Sequence, residues 1–219
     1  MRIFISRKIS NDSPFKKLEG QGHEIIDQSL IQINLLDFEL IDSPDWIFFY
    51  SSTGVKLFLE KYSYSEKQNY AVMGAGTAKT FERLTGRKPQ FIGDGNAQHI
   101  SEFFISHHLN DRIVFIKALN SIGQVQNHIG DKLKVANLPI YRTIKLYHFD
   151  LAPCDVLLFT SPLNAEAYFD KYGYHSEKMF AIGASTAQKI YGLIKHSVHY
   201  CENPNEDNLY ALLRRKLVL

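Results

Sequence analysis

Cysteine is scarce. The 219-residue chain has two, Cys154 and Cys201, too few for a disulfide scaffold, and no CxxC pair or Cys/His cluster gives metal-ligand spacing. Both are expected to be reduced core thiols, and no metal site is predicted. No run approaches the roughly 20 apolar residues of a membrane span. The start, Met1 to Ser6 followed by Arg7 and Lys8, lacks the apolar stretch of a signal peptide. The expectation is a cytoplasmic protein with no membrane partner. Neither sign of charge dominates: Lys plus Arg number 25 against 23 Asp plus Glu, a formal net charge of +2. That excludes a general polyanion-binding surface, so no nucleic-acid partner is expected. Any basic site must be local.

Nucleotide loops are missing too. Gly74-Ala-Gly76 and Gly93-Asp-Gly95 begin a GxGxxG pattern, but Lys79 and Gln98 occupy the place of its third glycine. No GxxxxGK[ST] loop occurs, so neither a dinucleotide nor a P-loop nucleotide is supported. His107-His108 is a poor metal pair, because neighbours on a helix point about 100° apart.

What is present is a globular composition, 45% hydrophobic and 22% charged, enough for a full core. Short runs rich in Ile, Phe, Val and Leu alternate with segments of helical period, the mark of a parallel sheet covered by helices. The strand candidates are Arg2 to Ser6, His23 to Asp27, Asp45 to Tyr50, Tyr70 to Met73, Pro89 to Ile92, Arg112 to Ile116, Leu133 to Asn137, Asp155 to Thr160, Met179 to Ile182 and Ser197 to Cys201. Trp46-Ile47-Phe48-Phe49 and Val156-Leu157-Leu158-Phe159 are continuous apolar runs, as central strands buried on both faces require. Ser13-Pro14 reads as the start of a helix ending near Gly22. Asn205, Glu206 and Asp207 open a last helix that closes on Arg214, Arg215 and Lys216, complementary to its dipole.

The chain also repeats itself. A shift of 109 residues lays Val72-Met73-Gly74-Ala75-Gly76-Thr77-Ala78 on Ala181-Ile182-Gly183-Ala184-Ser185-Thr186-Ala187 and Ser52 on Ser161. With one residue of slip, Lys61-Tyr62 meets Lys171-Tyr172. Arg112-Ile113-Val114-Phe115-Ile116 repeats Arg2-Ile3-Phe4-Ile5-Ser6 at the other end of the chain, so one half must be split. The expectation is an α/β protein of two similar flavodoxin-like or Rossmann-like domains with parallel sheets, one of them discontinuous. Residues 1–30 plus 150–219 form one and residues 38–140 the other, with 31–37 and 141–149 as a two-stranded linker.

Each Gly-Ala-x-Thr-Ala turn follows a strand and opens a helix. In open α/β sheets that carboxyl edge is where ligands bind. Free amides and the helix dipole favour an anion there by roughly 0.3–1 kcal/mol per helix end. Gly74, Ala75 and Thr77, with Gly183, Ser185 and Thr186, are therefore candidate anion-binding residues; the plainer account is a tight turn capped by the two threonines. Ser52 and Ser161 follow strands at the same edge and suit either a carboxylate or ordinary N-capping, with Pro162 in the first turn. Arg7, after the first strand, is a candidate for a charge-assisted bond to a ligand carboxylate, or a surface arginine. Tyr141, with an ordinary pKa near 10, stays protonated and is fit to donate to a leaving hydroxyl, or simply packs.

The order of these motifs resembles uroporphyrinogen-III synthase: strand, serine turn, helix; strand, Gly-x-x-Thr-Ala, helix; a Leu138-Pro139-Ile140-Tyr141-Arg142-Thr143 crossing; then both motifs again. The resemblance spans nearly the whole chain. It implies a monomeric, cofactor-free lyase of tetrapyrrole biosynthesis whose small-molecule substrate, hydroxymethylbilane, carries eight carboxylates. The enzyme removes water, closes the macrocycle and inverts ring D. By the same resemblance Tyr141 matches the tyrosine that assists loss of the hydroxyl, Thr77 and Thr186 match cleft-facing threonines, Ser161-Pro162 matches the Thr-Ser-Pro turn, and Ser6-Arg7 matches a first-strand Thr-Arg. Lys8 stands where that family motif has proline. Two other classes compete. A two-domain anion-binding module of the periplasmic type is expected to carry a signal peptide. A nucleotide-sugar glycosyltransferase is expected to be longer and to show a charged set for a diphosphate.

Overall fold

The structure, a computed structural model, describes residues 1–40 and 43–217; Ile41 and Asp42, inside the expected inserted domain, lie outside the described residues, as do Val218 and Leu219. In chain order the elements are β1 (Arg2–Ile5), α1 (Lys16–Glu19), β2 (Glu24–Asp27), β3 (Ile31–Leu35), β4 (Trp46–Phe49), α2 (Ser52–Lys61), β5 (Asn69–Val72), α3 (Ala75–Thr85), β6 (Phe91–Ile92), α4 (Ala97–His107) and β7 (Arg112–Ala118). There follow α5 (Gln124–Ile129), β8 (Lys134–Lys145), β9 (Val156–Phe159), α6 (Pro162–Tyr172), β10 (Lys178–Ala181), α7 (Ala184–Ile194), β11 (His199–Tyr200) and α8 (Glu206–Leu217). Two compact units result, one of Met1–Gln32 with Ile144–Leu219, the other of Ile33–Thr143.

The discontinuous unit has the sheet order β11-β10-β9-β1-β2, parallel throughout. Alternation sends its side chains to two cores. Phe4, Leu157, Phe159 and Ala181 meet Ala165, Tyr168 and Ile190 of α6 and α7 on one face. Ile3, Ile5, Val156, Leu158 and Phe180 meet Leu18, Leu209 and Leu213 of α1 and α8 on the other. The continuous unit repeats the plan. Ile47, Phe49, Val72 and Ile116 pack on Val55, Phe58 and Phe81 of α2 and α3, while Trp46, Phe48, Ala71 and Phe115 pack on Ile100, Phe104, Val125 and Ile129 of α4 and α5. A strand buried on both faces needs apolar residues at every position, and β4 and β9 are buried throughout.

Three local expectations are corrected. The crossing segment after Leu133 is not a separate strand: β8 runs unbroken for 12 residues, pairing with β7 and absorbing a bulge between Lys117 and Ala118. Its far edge is taken by β3, so this sheet has six strands, in the order β3-β8-β7-β4-β5-β6. The first helix shrinks to the single turn of α1, capped at Phe15, and Ser13 stands outside it, its hydroxyl accepting the Phe15 amide at 3.3 Å while donating to Glu206.

The repeat is also sharpened. β4 and β9 stand 110 residues apart, Trp46 to Val156, whereas β5 and β10 stand 109 apart, Asn69 to Lys178. The slip therefore falls after α2 and α6, and Ser51, rather than Ser52, is the counterpart of Ser161. A clasp is duplicated too, its Lys-Tyr pair in the 110 register and the segment it holds one residue further out: Lys61 lies 4.8 Å over the Phe38 ring and Lys171 4.8 Å over Phe149. Beside them Tyr62 Oη accepts the Leu40 amide at 2.9 Å and Tyr172 Oη the Leu151 amide at 2.8 Å.

Candidate active site

In the continuous unit the carboxyl ends of β4 and β5 lead into α2 and α3. α2 starts at Ser51, whose Oγ accepts the Gly54 amide at 3.1 Å. Capping by Ser52 is thus ruled out. The Ser52 hydroxyl instead donates to the Gly76 carbonyl at 3.3 Å and accepts from Thr80 Oγ1 at 3.0 Å, tying the first turns of α2 and α3 together. Tyr141, on β8, reaches the same place from across the sheet, with its hydroxyl 2.8 Å from Ser51 Oγ. Its ring is part of the core, 7% exposed. Burial pushes its phenol above the ordinary value, against the opposing effect of the Ser51 hydrogen bond.

α3 starts differently. Its cap is Gly74, in extended backbone, with no side-chain acceptor and no acidic residue in the first turn. Ala75 and Gly76 are exposed, whereas Thr77 is buried at the third helical position, its amide turned back to the Gly74 carbonyl at 3.1 Å. The discontinuous unit repeats this at α7: Gly183 caps, Ala184 and Ser185 are exposed, and Thr186 is buried at 1% exposure. Capping by Thr77 and Thr186 is excluded. What these turns present is backbone amides carrying the positive end of an uncompensated dipole. By contrast α8 carries Glu206 and Asp207 in its first turn.

The remaining candidates of the discontinuous unit are more fully engaged. Ser161 caps α6 as expected, accepting the Asn164 amide at 3.3 Å, and also accepts Asn164 Nδ2 at 2.9 Å. Asn164 Oδ1 in turn accepts the Leu30 amide at 2.7 Å. Ser6 is buried against Thr160, whose amide it accepts at 2.8 Å. Arg7 is ion-paired to Glu206, which also accepts from Ser13. A ligand carboxylate would have to compete for this arginine.

Several polar groups at these edges escaped the sequence reading. Tyr50, at the end of β4, accepts the Val125 amide at 3.0 Å and donates to Gln126, and burial pushes its phenol up to about 12. Asn164 was missed as well, and in the Ser51-Ser52-Thr53-Gly54 turn Ser52 stood in the place that belongs to Ser51. For Ser51 a signal existed: the Lys-Tyr slip already carried the 110 register. Among the described residues, no three His, Cys, Asp or Glu side chains converge as a metal would need.

A family model described as uroporphyrinogen-III synthase HemD matches residues 14–211. The chain belongs to the uroporphyrinogen-III synthase family. Members of this family are lyases acting on hydroxymethylbilane in porphyrin biosynthesis, and this chain is one of them. Among solved structures it is similar to the uroporphyrinogen-III synthetase of Helicobacter pylori 26695, with TM-score 0.70 and 16% identity over 99% of this chain and 98% of that one. It is also similar to a mutant uroporphyrinogen III synthase of the extremely thermophilic bacterium Thermus thermophilus, with TM-score 0.62 and 16% identity over 100% and 98%. At such identity these likenesses establish the fold. A sequence search of curated proteins gives no match. Among the described residues no helix is long and apolar enough to cross a membrane.

Proposed function

We propose that this uroporphyrinogen-III synthase removes water from hydroxymethylbilane, closes the macrocycle and inverts ring D, using Tyr141 as the acid and backbone amides as the main carboxylate donors. The observation that carries the proposal is the duplicated glycine-capped helix start, Gly74 with Ala75 and Gly183 with Ser185, free of acidic residues in a protein of near-neutral charge. Amides at helix starts bind carboxylates without adding net charge. Around them Ser52, Thr77, Ser161 and Thr186 shape the turns, and Arg7 offers a further carboxylate position once released from Glu206.

Orientation of a flexible bilane supplies much of the rate. The acid step is proton donation from the Tyr141 phenol to the departing hydroxyl, worth about 10²- to 10⁴-fold. The enzyme acts as a cytoplasmic monomer with no cofactor. Supplying freshly generated hydroxymethylbilane and separating the product isomers tests the reading. Type III product in excess over the type I that forms spontaneously is expected, and type I alone would refute the activity. Tyr141→Phe should slow type III formation by about 10²- to 10⁴-fold; an unchanged rate would refute the role of the tyrosine.

A further inference from the structure

The two units build the same helix start after their central strands and then finish it differently. Ser161 Oγ has both acceptor positions filled by Asn164, at 3.3 Å by its amide and 2.9 Å by Nδ2. In the 110 register the counterpart of Asn164 is Gly54, which has no side chain. Ser51 Oγ therefore receives only the Gly54 amide, at 3.1 Å, and its remaining capacity faces the Tyr141 hydroxyl at 2.8 Å. Glycine at position 54 is not forced by crowding, since an added Cβ would meet its nearest atoms, Ile116 Cγ2 and Ser51 Oγ, at 3.5 and 3.6 Å. The difference between the units thus frees one serine hydroxyl and brings a tyrosine to it.

We propose that Ser51 is a positioning residue for Tyr141, holding the phenol and donating a hydrogen bond to the tyrosinate that forms when the substrate hydroxyl leaves. The proposal rests on the reading of Tyr141 as the acid. In that step the carbon–oxygen bond of the hydroxymethyl group breaks and its electron pair leaves with oxygen. The Tyr141 proton joins that oxygen to make water, and the pyrrole nitrogen lone pair fills the electron demand at carbon. A tyrosinate can only accept, so whichever way the 2.8 Å bond points beforehand, Ser51 must be the donor afterwards. The bond thereby strengthens as charge develops, which is what accelerates a step. The direction of the phenol's shift agrees: burial raises it and Ser51 opposes the rise.

Ser51→Ala removes both the donor and the helix cap, so two further variants separate these roles. Ser51→Asp keeps a good N-cap but presents a carboxylate that cannot donate, while Ser51→Thr keeps both functions. Ser51→Ala and Ser51→Asp should lower kcat by about 10- to 100-fold, the range of a hydrogen bond to a charged group, with KM little changed. Ser51→Thr should recover most of the rate. In Ser51→Ala the alkaline limb of the kcat profile should move to higher pH. Full activity in Ser51→Asp, or a Ser51→Ala loss carried by KM with the limb unmoved, would overturn the proposal. A readout independent of turnover is the titration of ¹³Cζ-labelled tyrosine by NMR, with the Tyr141 signal assigned by Tyr141→Phe. Its midpoint should rise in Ser51→Ala, and an unmoved midpoint would sink the proposal even if Tyr141 proved to be the acid. A raised midpoint together with a fully active Tyr141→Phe would instead refute the acid role, and with it the catalytic part of the proposal.

Discussion

Gly74 and Gly183 cap twin helices, yet they differ in what a methyl group would meet. Both are extended, with φ −174° and ψ 179° at Gly74 and φ −169° and ψ 176° at Gly183, so the backbone admits alanine at either. A Cβ on Gly183 would lie 2.8 Å from Pro204 Cγ and 3.3 Å from Pro204 Cβ. On Gly74 the nearest atoms are the Gly93 carbonyl oxygen at 3.7 Å and the Gly95 nitrogen at 3.8 Å, an ordinary contact. Carbon atoms pack best at about 3.5–4.0 Å, and a proline ring has little freedom to retreat. Gly183→Ala should therefore cost about 1–3 kcal/mol for overpacking. Both variants lose glycine as the cap, so that smaller cost cancels in the comparison. At about 2–4 °C per kcal/mol for a chain of this size, Gly183→Ala should melt roughly 2–12 °C below Gly74→Ala. Far-UV circular dichroism follows both units, whereas the only tryptophan, Trp46, is buried in the continuous unit and reports that unit alone. If the units unfold separately, the loss in Gly183→Ala will appear in the dichroism and not in tryptophan fluorescence. Equal melting of the two alanine variants would refute the reasoning. Gly74→Ala, remaining folded, carries the functional half: its methyl stands beside the exposed amides of Ala75 and Gly76, and KM for the bilane should rise.

Glu206→Gln should free the Arg7 guanidinium and lower KM by up to about fivefold, the equivalent of the ~1 kcal/mol ceiling on a part-exposed pair; an unchanged KM would remove Arg7 from the binding site. Glu166 is held below the ordinary carboxylate range by Lys189 first and Lys145 second. A lowered folded pKa contributes stability that is complete above the unfolded value of about 4.3 and is lost as pH falls through the folded value. The stability gap between the wild-type chain and Glu166→Gln should therefore shrink from pH 5 to pH 3 in urea titrations, and a constant gap would contradict the pairing. Cys154 is pushed up to about 11 and Cys201 also upward, chiefly by burial. Iodoacetamide at pH 7.5 should alkylate either thiol far more slowly than a free cysteine, and rapid labelling of the native chain would show the burial to be wrong.

The strands were legible because each is a short apolar run, and pairing moved the ends of the candidates by only a residue or two, except at β8, which runs on past Asn137 to Lys145. β4 and β9 could be read directly, since burial on both faces leaves no polar position to confuse the pattern. The length of α1 could not, because Ser13 is a good cap in isolation, yet its oxygen accepts the Phe15 amide two residues on, before α1 begins, and its proton goes to Glu206, 193 residues away. Nor could the choice among Ser51, Ser52 and Thr53. All three are competent caps, and only the extended backbone of Ser51, at φ −153° and ψ 157°, aims its oxygen at the Gly54 amide.

Local chemistry, repeated along the chain, was enough to determine the doubly wound α/β class, the duplication and the glycine-capped turns at the carboxyl edges, because apolar period and small-residue turns act over a few residues. Tertiary structure alone decided which side chains answer one another. Tyr141 meets Ser51 across 90 positions, Asn164 meets Leu30 across 134 and Arg7 meets Glu206 across 199. Such contacts depend on where parallel strands bring distant loops to one sheet edge. A hydroxyl or carboxylate in sequence shows what it can bond to, and only packing determines what stands within 3 Å of it.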